Sequence, residues 1–244
     1  MSELARFSAS MRDIFALNNL SQHATEESIE KFFRLTERML SVNENMNLTA
    51  IKEQDAIILL HYADSLLATP FLPQNARIAD IGCGAGFPCL PLAICRPDLS
   101  ILALDSTEKR IRYVAETAAM LGCKQLNAVA MRAEEGGKGQ YREAFDICTA
   151  RAVAALPLLA ELCLPYVKVG GTFLAMKGKR GEEELAEASN AIKKLGGELA
   201  NLHAVPLIHP DGTEETRYLI EIKKTKPTPA EYPRAWGKIL KKPL

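Results

Sequence analysis

The sequence has no excess of charge of either sign and no long apolar run. Lysine plus arginine and aspartate plus glutamate each total 30, so the formal net charge is zero. A nucleic acid would therefore have to bind a local basic patch. No apolar stretch approaches the roughly 18 residues of a transmembrane helix, and the first residues do not resemble a signal peptide. We therefore expect a cytoplasmic protein with no membrane partner.

Cysteines are few and scattered, and no two of them form a C-x-x-C pair. The six cysteines stand at positions 83, 89, 95, 123, 148 and 163, and most fall within apolar segments. Zinc sites need closely spaced ligand pairs, and disulfide frameworks are typical of short, cysteine-dense secreted chains. We therefore expect buried free thiols, with neither a metal nor a disulfide.

The sequence does contain a glycine-rich segment at residues 77–94. An apolar run ends at Asp80, and Gly82, Gly84 and Gly86 then alternate with small residues before a proline. Because proline is favoured in the first turn of a helix, the segment predicts a strand, a tight turn and a helix. Alternating glycines also let the backbone approach a ligand closely. This is the pattern of the first unit of a doubly wound α/β sheet.

The residues around these glycines favour S-adenosylmethionine over NAD as the ligand. The dinucleotide motif places its third glycine later, as G-x-G-x-x-G, and Phe87 occupies that position here. Asp80 precedes the first glycine, where its charge would repel a pyrophosphate but attract an ammonium or sulfonium group. The alternative is a glycine-rich turn that binds no ligand.

A second acidic residue follows at the end of the next predicted strand. The apolar run at residues 100–104 ends in Asp105, about 20 residues past Gly86, where a fold of this type places a carboxylate against a ribose. We therefore predict that Asp105 binds the ribose of the ligand. The alternative is an N-cap for the following helix, a role that Ser106 or Thr107 could also fill.

Residues 1–74 show no strand alternation and predict a helical extension packed on the rest of the chain. Helices are predicted over residues 2–17, after an N-cap at Thr25, and over residues 57–66. The apolar faces of the first two helices must pack on something. We expect that partner to be the sheet domain.

His61, Asp64 and Ser65 share one face of the third predicted helix, and these three residue types suggest the catalytic triad of a hydrolase. Side chains three and four positions apart on a helix run roughly parallel, so they cannot line up in relay order. The sequence also lacks a G-x-S-x-G nucleophile elbow. We predict capping or contact with the sheet domain for these residues.

Residues 75–224 alternate strands and helices and predict the core domain. A short turn joins the last two strands, so they predict an antiparallel hairpin at the end of a parallel sheet. Residues 136–143 hold three glycines and several charges and predict an exposed loop. Later strands are predicted at residues 100–105, 127–131, 145–148, 170–176, 198–207 and 217–223.

Two basic segments could contact nucleic acid. One is a loop after the fifth strand, and the other is the C-terminal tail at residues 225–244, where Tyr232 and Trp236 stand among basic residues. Phosphate contacts and base stacking need such side chains, although a solvated terminus anchored by its aromatics is an equal alternative. The predicted RNA contacts are Lys177, Lys179, Arg180, Arg234, Lys238, Lys241 and Lys242.

Taken together, these motifs resemble the bacterial rRNA small subunit methyltransferase G family, also known as glucose-inhibited division protein B. The resemblance covers nearly the whole chain, and the Gly-Phe-Pro continuation of the glycine turn is its most specific part. The matching segments are residues 47–49, His61 with residues 64–65, residues 80–88, residues 105–106 with 109–110, residues 132–134, residues 151–152, residues 176–178 and residues 232–234.

The resemblance implies a class I S-adenosylmethionine-dependent methyltransferase fold, Rossmann-like, with methylation of N7 of a guanine in 16S rRNA. Cys89 departs from the family pattern, which usually has a small residue there, and we expect a packing change. We also expect a monomer that holds no metal. The implied cofactor residues are Asp80, Gly82, Gly84 and Phe87 at the glycine turn, Asp105 at the ribose, Ala133 and Glu134 beside the adenine, and Arg151 after the fourth strand.

The residues after the predicted fourth strand suggest chemistry without a general base. That strand leads into Thr149-Ala-Arg151, which lacks both a Pro-Pro-aromatic element and a nucleophilic cysteine, since Cys148 is predicted to be a buried strand residue. A ring nitrogen with a free lone pair needs no deprotonation, so positioning alone could suffice. Two other classes stay open, namely a methyltransferase of small molecules and a non-catalytic RNA-binding module on the same fold.

Overall fold

A seven-stranded mixed sheet organises the protein, whose computed structural model describes residues 2–244. The strand order is β3-β2-β1-β4-β5-β7-β6, with parallel pairing from β3 through β5 and β7 antiparallel to both of its neighbours. The predicted α/β fold with an antiparallel C-terminal hairpin is confirmed. The strands are β1 (Arg77–Ile81), β2 (Ser100–Asp105), β3 (Leu126–Ala130), β4 (Phe145–Arg151), β5 (Val167–Lys177), β6 (Gly197–Ile208) and β7 (Glu214–Lys224).

Helices cover both faces of this sheet. The third helix, α3, runs through Gln54–Ile57, a π-helical stretch at Ile58–Ala63, and Asp64–Leu66. Within residues 2–244, no helix combines the length and apolar character needed to cross a bilayer. The other helices are α1 (Glu3–Leu17), α2 (Glu26–Met46), α4 (Cys89–Cys95), α5 (Glu108–Met120), α6 (Ala133–Lys138), α7 (Leu156–Cys163), α8 (Gly181–Lys194) and α9 (Trp236–Lys241).

Two apolar clusters bury the two faces of the sheet. Neighbouring residues of β1 alternate between them, with Ile78 in one cluster and Ala79 in the other, as the period of a strand requires. The first cluster also holds the apolar faces of α1 and α2, including Phe7 and Phe32, so the N-terminal helices pack directly on the sheet domain. The second cluster includes Ile239 of the C-terminal helix.

Local capping defines the second helix as the sequence predicts. The Thr25 side chain accepts a hydrogen bond from the backbone N–H of Ser28, at 3.2 Å. The helix ends at Asn47, whose φ of 49° places it in the left-handed region that asparagine tolerates. The Asn43 side chain then binds both backbone groups of Thr49. These bonds fix the segment that leads into α3.

The loop predicted at residues 136–143 is wrong in its first half, because α6 extends to Lys138. Gly136 and Gly137 are buried against Tyr166. A Cβ atom on Gly136 would lie 2.3 Å from the Tyr166 hydroxyl, which itself donates to the Ala133 carbonyl at 2.7 Å. The glycines therefore permit close packing of a helix, where the sequence pattern predicted an exposed loop.

Two of the predicted RNA contacts, Arg234 and Lys177, are wrong because both side chains form buried ion pairs within the protein. The Arg234 guanidinium donates to both carboxylate oxygens of Glu161, at 2.8 and 2.5 Å, and the Glu161 side chain is fully buried. Lys177 is 8% exposed, and its Nζ lies 2.6 Å from Glu184 Oε2. Because a carboxylate buried without its cation is costly, both basic side chains are committed to the fold and are withdrawn from the RNA surface.

Candidate functional site

The glycine turn after β1 is shaped by close contacts on two of its three glycines. Gly82, Gly84 and Gly86 all have positive φ, at 72°, 55° and 93°. A Cβ on Gly82 would lie 2.6 Å from a methyl carbon of Val153, and one on Gly86 would lie 2.3 Å from Leu90. A Cβ on Gly84 would meet only one backbone oxygen at 3.9 Å. Gly84 therefore faces open space, where a ligand can approach its backbone.

Asp105, at the end of β2, connects this turn to the next helix. Its Oδ2 accepts from the Gly84 N–H at 3.1 Å, and its Oδ1 accepts from the Thr107 N–H at 2.8 Å. The N-cap of α5 is Thr107, so Asp105 is not needed in that position. Each carboxylate oxygen keeps a second lone pair, so the side chain can still accept from ribose hydroxyls.

Asp80 lies beneath the turn and outside the cavity lining. It is fully buried, and it accepts hydrogen bonds from the Cys89 N–H at 3.2 Å and the Thr149 hydroxyl at 3.4 Å. Burial raises the pKa of Asp80 to about 7, against the opposing effects of the Cys89 contact and of Arg151. The sequence predicted that Asp80 binds the ligand. Because its side chain is buried beneath the turn, Asp80 can act on a bound cation only through the charge of its carboxylate. Cys89 is a fully buried packing residue.

A cavity of about 410 Å³ opens above these residues, at the edge formed by the carboxyl ends of the parallel strands. It lies between the parallel strands β1 and β4, from which the strand order runs outward in opposite directions, and this switch point is the usual ligand site of open α/β sheets. Apart from Asp80, every predicted cofactor residue lines it, namely Gly82, Gly84, Phe87, Asp105, Ala133, Glu134 and Arg151.

The sequence did not identify several other residues that line this cavity. Leu48 arrives from the segment between α2 and α3, and Trp236 arrives from the C-terminal tail. Arg110, Arg132 and Val153 also belong to this group. The position of Leu48 inside the Asn-Leu-Thr segment was an available signal, but no local pattern indicates that two distant parts of the chain meet here.

Arg151 is held by the N-terminal extension. Its Nη1 donates to the Leu60 carbonyl at 3.0 Å and to Asp64 Oδ2 at 2.8 Å, and its guanidinium carbon lies 5.5 Å from the centre of the Phe87 ring. His61 stacks on the same ring, with centroids 4.4 Å apart and planes 8° apart. The third helix therefore supports two residues of the cavity lining, Phe87 and Arg151, without lining the cavity itself.

The three residues that share a face of α3 form no catalytic relay. The Ser65 hydroxyl donates to the His61 carbonyl, and Asp64 turns to Arg151 and to Arg217 Nε, at 3.0 Å. His61 Nε2 lies 2.8 Å from the Thr49 hydroxyl. Burial, with a smaller contribution from the charge of Arg151, lowers the pKa of His61 to about 4. The imidazole is therefore neutral at physiological pH and has a packing role.

Comparison with known proteins identifies the family. Residues 28–208 match the family described as rRNA small subunit methyltransferase G. A protein named ribosomal RNA small subunit methyltransferase G from Lactobacillus delbrueckii subsp. bulgaricus is 42% identical over 226 residues, which cover 90% of this chain and 91% of the relative. This chain belongs to the rRNA small subunit methyltransferase G family. A relative of the same name from Macrococcus caseolyticus is 44% identical over 222 residues, with coverage of 90% and 92%.

Solved structures support the fold. A precorrin-6y C5,15-methyltransferase from Geobacter metallireducens aligns with a TM-score of 0.52 and 14% identity, covering 74% of this chain and 91% of that one. At this low identity the likeness shows the class I methyltransferase fold alone. The methyl donor of the family is S-adenosyl-L-methionine, and the cavity fits it chemically. Its lining offers Asp105 for the ribose, the open face of Gly84, and apolar surface from Met131, Leu162 and Trp236.

The raised pKa of Asp80 predicts that cofactor affinity depends on pH. The carboxyl should lose its proton between about pH 6 and 8, and the resulting carboxylate favours a cation above it. Affinity for S-adenosylmethionine should therefore rise several-fold over this range, and affinity for S-adenosylhomocysteine, whose sulfur is neutral, should rise less. Titration calorimetry at several pH values measures both.

Asp80→Asn is the matched control, since the amide keeps an oxygen acceptor for the Cys89 N–H. Its affinity for S-adenosylmethionine should be independent of pH over the same range. A pH-dependent increase that persists in this variant would assign the effect to another group.

Proposed function

We propose that this protein transfers the methyl group of S-adenosyl-L-methionine to N7 of a guanine in 16S rRNA. The observation that supports the proposal best is the cavity at the switch point of the sheet, where Asp105, the glycine turn and Arg151 meet in a chain of this family. An enzyme with this substrate works where small ribosomal subunits are assembled, in the cytoplasm. We propose that it acts as a monomer and needs no metal.

The reaction requires no proton transfer. When bound, the cofactor supplies an electrophilic methyl group on a positively charged sulfur. N7 of guanine carries a lone pair and no proton at neutral pH, so its attack forms the carbon–nitrogen bond as the carbon–sulfur bond breaks. The protein has only to hold the nitrogen in line with the methyl group, and such positioning can lower the barrier by about 7–11 kcal/mol in favourable cases.

The side chains near the cavity suit positioning, and its acidic residues are assigned to cofactor contacts, Glu134 to the adenine and Asp105 to the ribose. Both oxygens of Asp105 already accept backbone N–H groups, and Asp80 is buried beneath the turn. His61 is neutral, but its Nε2 is bound to Thr49. Arg151, fixed by Asp64 over the Phe87 ring, is the residue best placed to orient the reactants.

Methylation at N7 can be read directly, because borohydride and aniline cleave RNA at 7-methylguanosine. Unmethylated small subunits treated with the enzyme and cofactor should give one cleavage site. At saturating cofactor, the rate of the chemical step should be nearly flat between about pH 6.5 and 8.5, since no catalytic group has to lose a proton. Arg151→Ala should lower this rate without introducing a pH dependence. Labelled methyl incorporation without cleavage would place the methyl group on another atom and exclude this reaction.

Exposed basic residues are proposed to contact RNA phosphates. Lys179 and Arg180 follow β5, and Arg180 pairs with the exposed Glu183, a surface contact that contributes little. The C-terminal helix and the residues after it add three exposed lysines. They are Lys238, Lys241 and Lys242.

Replacing these three C-terminal lysines together by glutamine should weaken RNA binding and its salt dependence. The slope of log affinity against log salt should fall by about 0.9 for each phosphate that a lysine no longer neutralises. A filter-binding titration over a range of salt concentrations measures that slope. The matched control replaces three exposed lysines at the opposite edge of the sheet, Lys124, Lys168 and Lys193, and should leave the slope unchanged. If both triple variants show the same slope of log affinity against log salt, the C-terminal lysines do not contact RNA and the tail has only a structural role.

A further inference from the structure

A second cavity adjoins the proposed cofactor site. Its volume is about 260 Å³, and it lies between helices α3 and α8, the ends of β4 and β5, and the hairpin strand β7. Arg151 and Ala152 line both cavities, so the two spaces meet at these residues. Beyond them, the walls of the second cavity carry Asp64, Lys177, Glu184 and Arg217.

The boundary between the two cavities is a constrained piece of backbone. Ala152 has a φ of 55°, in the left-handed region that a residue with a Cβ rarely adopts. The next residue, Val153, is in van der Waals contact with the glycine turn at Gly82. Strained backbone of this kind is found at functional sites when the surrounding structure holds it in place. Residues 151 and 152 therefore separate a molecule bound in the second cavity from one bound in the first.

The two carboxylates of the second cavity, Asp64 and Glu184, are paired with basic side chains, and one oxygen of Glu184 has no partner among the described residues. Both contacts of Glu184 use Oε2, which lies 2.6 Å from Lys177 Nζ and accepts from the Leu156 N–H at 2.8 Å. Lys177 Nζ also donates to the Ala154 carbonyl. Asp64, by contrast, uses one oxygen for each of two arginines. Among the described residues, Glu184 Oε1 is therefore the carboxylate oxygen of this cavity that has no partner, and it is the most available to accept from a ligand.

Guanine has the complementary pattern. One edge of the base presents the adjacent donors N1–H and N2–H₂, and the other presents the acceptors O6 and N7. A carboxylate recognises the donor edge, and that leaves N7 on the opposite side of the ring. A base held in this way by Glu184 can direct N7 toward the boundary that the two cavities share.

We propose that the second cavity binds the acceptor guanine, with Glu184 accepting from its N1–H and N2–H₂ edge and Arg151 at the boundary that N7 faces. This inference rests on the proposed function and specifies where its substrate lies. Lys177 then has a structural task, since its contact with Oε2 holds the Glu184 carboxylate in place.

The occupancy of the cavity can be tested by filling it. Gly178 lines the cavity, its φ is outside the positive range, and a Cβ added to it meets nothing within 4 Å. Gly178→Leu should therefore fold normally and lower kcat/KM for unmethylated small subunits by at least about tenfold, while calorimetry gives an unchanged Kd for S-adenosylmethionine. Asn190→Leu is the matched control, since this exposed residue of α8 lies outside both cavities and outside the two basic segments. Turnover by Gly178→Leu within twofold of the wild type would overturn the proposal.

The role of Glu184 can be tested by measuring how strongly the enzyme prefers guanosine over inosine at the methylated position. Inosine lacks the 2-amino group, so small subunits reconstituted with inosine at the methylated position should react at least about tenfold more slowly than those with guanosine. In Glu184→Gln, which keeps an oxygen acceptor for the Leu156 N–H, this preference should fall to about threefold or less. A purely structural role would lower both rates equally. An undiminished preference in the variant would overturn the assignment of Glu184.

These outcomes separate the inference from the function on which it rests. If the wild type places the methyl group on an atom other than guanine N7, the proposed function and this inference both fail. If the wild type methylates N7 and Gly178→Leu does so equally fast, the function stands and the guanine must lie elsewhere.

Discussion

The shared carboxylate of Asp64 is the interaction on which the site depends. Its two oxygens bind Arg151 and Arg217, at 2.8 and 3.0 Å, and all three side chains are less than a fifth exposed. The contact joins helix α3, the end of strand β4 and strand β7. Removal of one partner from a buried ion pair typically costs about 3–5 kcal/mol, because it leaves an uncompensated charge. The N-terminal helices are therefore part of the site that the sheet provides.

Much of the fold and part of the site were predictable because they depend on local patterns. The glycine spacing predicted a tight turn, and the apolar run before Asp105 predicted a strand end beside that turn. Ala133 and Glu134 have no such local signal, since only the resemblance to a family assigned them to the cofactor site. Parallel strands bring their carboxyl ends to one edge, and that is why residues far apart in sequence meet there.

The rest could not be predicted because it depends on contacts between distant residues. Arg217 meets Asp64 across 153 positions of sequence, and Arg234 meets Glu161 across 73. A lysine or arginine in a buried ion pair looks the same in sequence as one that faces solvent. The predicted RNA surface was therefore too large, and the second cavity, whose walls come from α3, α8, β4, β5 and β7, was not foreseen.

The central claim is that the Asp64–Arg151 pair positions the boundary where methyl donor and acceptor meet. A double-mutant cycle with Asp64→Asn and Arg151→Met, read as kcat/KM on unmethylated small subunits, measures this directly. We expect a coupling energy above about 1 kcal/mol, with the double variant little worse than Arg151→Met alone. Losses that add to within about 0.5 kcal/mol would show that the two residues act independently and would contradict the claim.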